Sequence, residues 1–138
     1  MNEDDDLGAL CAGAGRALAE AERPVLERHG LSMWQYVVLS ALADGEAPSQ
    51  LVLARQIRYD KTRLITLLDG LEAAGLVTRD PDPADRRARI VRLTPEGVRR
   101  HAAVRTAIRE VEEDRLAGLD PATRRALRSA LAHLANSG

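Results

Sequence analysis

The chain has 138 residues, 45% of them hydrophobic and 30% charged, which suits one packed domain and leaves little room for a second, catalytic one. Aromatic residues make up only 2% and Phe is absent, so the core must be built from Leu, Val, Ile and Ala, the set that packed helices use. A net charge of −1 argues against a polyanionic partner until its distribution is read: nine basic residues face six acidic ones between Arg55 and Arg92, and four arginines without an acid occupy Arg86–Arg92.

Met1–Asp6 carries four acids, and no apolar stretch nears the ~20 residues of a membrane span, so the expectation is a cytoplasmic protein without a secretory signal or membrane segment. Cys11 is the single cysteine, and His29, His101 and His133 lack ligand spacing, which leaves no intrachain disulfide and no structural zinc or other metal site. There is no phosphate-binding glycine loop and no nucleophile motif, and Glu112-Glu113-Asp114 reads as a solvated helix face. The expected protein is therefore not an enzyme and needs no cofactor.

Leu10, Ala14, Ala17, Leu18 and Ala21 are spaced for a long first helix from Leu7 to about Arg28, with a bend or restart at Pro24 and a stop at Gly30. Ser32 is placed to cap a second helix with Trp34, Val37, Val38, Ala41 and Leu42 on one stripe. Ser49 caps a short third helix with Leu51, Ala54 and Ile57 inward. After the tight connection Arg58-Tyr59-Asp60, Asp60 caps a helix from Lys61 to Ala74 whose Leu64, Leu67, Leu68 and Leu71 share a face, closed by Gly75. Two helices so joined make a helix-turn-helix.

Leu76–Arg79 reads as a strand, Asp80–Asp85 as a proline-fixed turn, and Arg89–Leu93 as the returning strand, a β-hairpin wing. Thr94-Pro95 and Asp120-Pro121 each announce a further helix, the first carrying Val98, Ala102, Ile108, Val111 and Leu116, the second Leu127, Ala130, Leu131 and Leu134. The fold class is mainly α with a small β-hairpin wing.

Three segments, Leu71-Glu72-Ala73-Ala74-Gly75-Leu76-Val77, Asp82-Pro83-Ala84-Asp85-Arg86-Arg87 and Leu93-Thr94-Pro95-Glu96-Gly97, resemble the MarR family of bacterial regulators in order and spacing. The resemblance implies a single domain over residues 1–138. About 31–97 would be a winged helix-turn-helix, and about 1–30 and 98–138 the N- and C-terminal helices of a homodimer. It also implies binding to a palindromic operator in double-stranded DNA, often released by a small phenolic or lipophilic effector.

On the face of the Lys61 helix opposite its leucines stand Thr62, Arg63 and Thr66, with Lys61 at its start. Arg63 suits bidentate reading of a guanine, Thr62 and Thr66 base or phosphate contacts, and Lys61 a phosphate. Arg86 and Arg87 belong to the wing tip, and the family pattern points to Arg87 as the minor-groove residue and Asp85 as its wing-stabilising partner. Arg79, Arg89 and Arg92 suit phosphate contacts or cross-strand pairs.

Cys11 is read as a small buried helix residue and Trp34 as core, and no effector site is legible. The rival reading is a winged helix used as a protein-interaction or dimerisation module, which would have no need of Arg63, Arg86 and Arg87 on one face.

Overall fold

Five of the six helices start at a side-chain cap. In the computed structural model, which describes residues 1–138, the elements are α1 (Leu7–Arg28), α2 (Met33–Ala43), α3 (Gln50–Gln56), α4 (Lys61–Ala73), β1 (Val77–Asp82), β2 (Asp85–Leu93), α5 (Pro95–Arg115) and α6 (Pro121–Ala135). Ser32, Ser49, Asp60, Thr94 and Asp120 each accept a backbone N–H three residues on, and at α2 Gln35 returns the bond to complete a capping box. Gly30 and Gly75 hold φ of 70° and 75° just past α1 and α4. There Leu31 N–H reaches Leu26 and Leu76 N–H reaches Leu71, the left-handed close that a Cβ would disfavour.

The wing is one antiparallel pair, Val77 opposite Leu93 and Pro81 opposite Arg89, with a bulge between Pro81 and Asp82. Its strands run further than expected. Pro81 joins the ladder, and only Pro83 and Ala84 form the turn, so Arg86 and Arg87 lie on the bulged start of β2 rather than at the apex. A third segment adds to its other edge: Val91 N–H donates to the Pro48 carbonyl at 2.9 Å, and Ser49 bridges Ile90.

Sixteen buried aliphatic residues form one core, drawn from α1 (Val25, Leu26), α2 (Val38, Leu39, Leu42), α3, α4 (Leu64, Leu68, Leu71), the wing and α5 (Val104, Ile108). α6 contributes no buried residue. The junction after α4 is tight. Thr94 Oγ1 donates to the Gly75 carbonyl at 2.6 Å, Thr94 N–H donates to the Leu76 carbonyl at 3.0 Å, and a Cβ on Gly97 would run into that same carbonyl.

Several expectations need correction. α1 passes through Pro24 without a restart, because Pro24 and Glu20, whose carbonyl loses its partner, both face solvent. On α2 the buried stripe is Val38, Leu39 and Leu42, and Trp34 is 41% exposed. On α3 Leu53 and Ala54 point inward, and Leu51 and Val52 outward, because the helix packs against both α4 and β2 rather than one neighbour. On α5 Val98 is 55% exposed, and His101 takes a core position with Val104 and Ile108. Cys11 is exposed on the single chain.

His101 Nε2 lies 3.0 Å from Ser40 Oγ and its ring stacks 5.6 Å from Tyr36, tying α5 to α2. Burial, aided by Arg105, holds its pKa below the usual histidine value, so the folded state takes up its proton later than the unfolded chain. Stability from this group is therefore present above the unfolded pKa of about 6.5 and is lost as pH falls below it. Urea melts of wild type should weaken between about pH 7.5 and 5.5, and His101→Gln should flatten that slope. A second melt tests the junction: Gly97→Ala should cost about 1–3 kcal/mol or more through overpacking against the Leu76 carbonyl.

Candidate nucleic-acid interface

The leucine face of α4 fixes where its other face points. With Leu64, Leu68 and Leu71 in the core, Lys61, Thr62, Arg63 and Thr66 are all exposed, as the helical period requires. Asp60 Oδ2 accepts the Arg63 N–H at 2.9 Å, so the first turn is well anchored. In the turn between α3 and α4, Arg58 adopts φ 53°, an unusual conformation for a residue with a side chain.

The wing brings a second set of cations to the same side. A cleft of about 290 Å³ is lined by Lys61 from α4, by Ser49, Gln50 and Leu51 from the start of α3, and by Asp85, Arg87 and Arg89 from β2. Asp85 Oδ1 accepts the Arg87 N–H at 3.0 Å, and Asp82 Oδ1 the Ala84 N–H at 2.9 Å, so two aspartates brace the turn on either side of Pro83-Ala84. Lys61, Arg63, Arg86, Arg87 and Arg89 are exposed, and none of them forms an ion pair.

Arg79 is different. Its side chain is only 15% exposed, and its guanidinium meets Asp69 at 2.6 Å and Glu72 at 3.1 Å on α4, with Gln50 of α3 at 3.4 Å. In place of the phosphate contact or cross-strand pair expected from sequence, its side chain forms a brace between the wing, α4 and α3. Arg92 sits opposite Thr78 and Arg89 opposite Pro81 in the ladder. Ser49, Gln50 and Leu51 join the cleft beside Lys61 and Arg87 without a site signal in the sequence, where Ser49 stands out only as a cap and Leu51 only as an inward residue of α3.

A second cleft, about 260 Å³, opens between α1, α2, α5 and α6 and is lined among others by Glu22, Tyr36, Ser40, Arg105, Arg109 and Arg128. Glu22 is buried, and burial together with nearby Glu112 raises its pKa. Nothing in an alanine-rich helix marked it in advance.

The profile of the MarR family matches residues 29–88. The chain is 30% identical over 115 residues to a transcriptional regulatory protein for the hcr operon of Thauera aromatica, a match covering 83% of this chain and 69% of that one. Its matches to two other named regulators span 63% and 61% of those proteins. Among solved structures it is similar to a MarR-family regulator from Rhodococcus sp. RHA1, with a TM-score of 0.89, 26% identity and coverage of 100% of this chain and 98% of that one. It is also similar to the repressor CouR bound to a 23-mer DNA duplex, with a TM-score of 0.84, 30% identity and coverage of 95% and 93%. CouR from Rhodococcus jostii RHA1 has also been solved with p-coumaroyl-CoA.

The Arg79 brace predicts a measurable loss. Hydrogen bonding to Arg79 holds the Glu72 carboxyl below the usual carboxylate range, so the contact stabilises above that range and fades as pH falls through the lowered value. Arg79→Met should cost about 1–2 kcal/mol at neutral pH. Its deficit should shrink in denaturant melts below about pH 4, and amide exchange should quicken in β1 and β2.

Proposed function

The chain belongs to the MarR family of transcriptional regulators, and from that premise we propose that it is a repressor that binds a palindromic operator in duplex DNA as a homodimer. The observation that carries this reading is the shared cleft. Lys61 at the start of α4 and Arg87 and Arg89 on the wing line one concavity, with no carboxylate paired to any of them. A duplex offers phosphates and base edges along its grooves, and unpaired exposed cations are what it requires.

In this reading α4 enters the major groove. Arg63 hydrogen-bonds a guanine edge, Thr62 and Thr66 contact bases or phosphates, and Lys61 meets a phosphate. Arg87, steadied by Asp85, reaches into the minor groove, with Arg86 and Arg89 on the flanking backbone. Braces such as Arg79 hold the wing at a fixed angle to α4, which is what allows both grooves to be read together.

The dimer follows from what the single chain leaves uncovered. Leu127, Leu131 and Leu134 of α6 and Leu7 of α1 are exposed, with Leu134 at 54%, although α6 is strongly amphipathic. A second copy covers them and sets two α4 helices about 34 Å apart for an inverted repeat.

The cleft holding Glu22, Tyr36 and three arginines is our candidate for a small anionic or phenolic effector, since it lies between the outer helices and α2 of the DNA-reading unit. An effector bound there would bear on the spacing of the two α4 helices.

Recovery of genome-wide bound DNA should yield an inverted repeat, and the following variants test the roles on it. Arg87→Ala should weaken binding, most on sites that place a narrow A·T-rich minor groove under the wing. Arg63→Ala should weaken binding and relax preference at one base pair per half-site by about 1–3 kcal/mol. Unchanged affinity of both folded variants would remove the assignment.

A further inference from the structure

Arg63 does not project freely from α4. Its guanidinium carbon lies 5.2 Å from the centroid of the Tyr59 ring, over the ring face. Tyr59 in turn rests on Trp34, with centroids 4.4 Å apart and planes inclined by 40°. Three parts of the fold thus contribute one side chain each to a single stack: the start of α2, the α3–α4 turn and the first turn of α4.

The backbone beneath each member is pinned. The capping box of Ser32 and Gln35 fixes the start of α2 around Trp34. Arg58 takes the left-handed conformation immediately before Tyr59, and the Tyr59 N–H donates to the Ala54 carbonyl at 2.9 Å. Asp60 holds the Arg63 N–H at 2.9 Å. Trp34 is 41% exposed, so its indole is not accounted for by the core, yet it stands directly behind Tyr59.

A cation over an aromatic ring uses the ring face and leaves the guanidinium N–H donors available to a further acceptor. We propose that Tyr59, backed by Trp34, is a positioning residue for Arg63, restricting the arginine to conformers that present its donor fork to the base edge and so setting base preference. This rests on the DNA-binding reading above. A free arginine on an exposed helix face would have to be ordered by the DNA itself, whereas a stacked one arrives already restricted.

The test begins with duplexes enriched from a random pool by the full-length wild-type protein. Failure to enrich any site would count against DNA binding itself. On the enriched site and its single base-pair variants, Tyr59→Phe keeps the ring and should retain wild-type preference. Tyr59→Leu keeps apolar bulk but no ring face, and should lose preference at the same base pair that Arg63→Ala affects, by about three- to thirtyfold. Its salt slope should not change, since no phosphate contact is removed.

The combined Tyr59→Leu and Arg63→Ala variant should discriminate no worse than Arg63→Ala alone, the coupling expected when one residue acts through the other. Full discrimination by folded Tyr59→Leu, or a loss spread evenly over all sequences, overturns the proposal. Should Tyr59→Leu not fold, the comparison is read on Trp34→Leu, where a smaller loss at the same base pair is expected and undiminished preference is the overturning result.

Discussion

The carbonyl of Leu76 and the missing side chain of Gly97 form the closest approach on which the molecule is organised. Leu76 is fully buried, ends the left-handed close of α4 and precedes the first residue of the wing. Its carbonyl accepts Thr94 N–H from the last turn before α5, while Thr94 Oγ1 both donates to Gly75 and caps Gly97. One small region therefore fixes the end of α4, the beginning of β1, the end of β2 and the beginning of α5. Because α5 also packs on α1 and α2, the angle between the wing with α4 and the outer helices is set there.

The cations divide by whether the fold uses them. Arg79 ties the wing to α4, Arg100 donates to the His29 carbonyl at the end of α1, and Arg124 and Arg128 bind Glu113 and Glu112 to hold α6 beside α5. Those on the α4 and wing face lack such partners. This division explains how a chain with a formal charge of −1 presents a cationic surface: most of its carboxylates lie outside the Arg55–Arg92 stretch, and several inside it serve as caps or turn braces. Total charge is uninformative here because opposite signs are sorted by region rather than mixed.

What could be read from the sequence was local. The caps Ser32, Ser49, Asp60, Thr94 and Asp120 and the closing glycines act on backbone groups a few residues away, so their residue types suffice to place the starts of α2 to α6 and the ends of α1 and α4. The outward face of α4 was legible for the same reason, since three leucines on one side determine the other. Partnerships across the fold were not. The Pro48–Val91 bond has no sequence signature, His101 looks like any histidine on a charged helix, and Arg79 differs from Arg86 only in what α4 happens to place beside it. The wing is longer than its prolines suggest, because prolines ordinarily end strands whereas Pro81 sits beside a bulge on a narrow two-stranded ribbon.

Trp34, the single tryptophan of a chain without phenylalanine, sits outside the sixteen-residue aliphatic core. Indole emission in this protein accordingly follows the corner where α2 meets the α3–α4 turn, and the aliphatic core itself carries no indole. A melt followed by fluorescence samples the opening of that corner, while circular dichroism samples the helices as a whole. Separation of the two curves would measure how independently the helix-turn-helix corner loosens from the long outer helices.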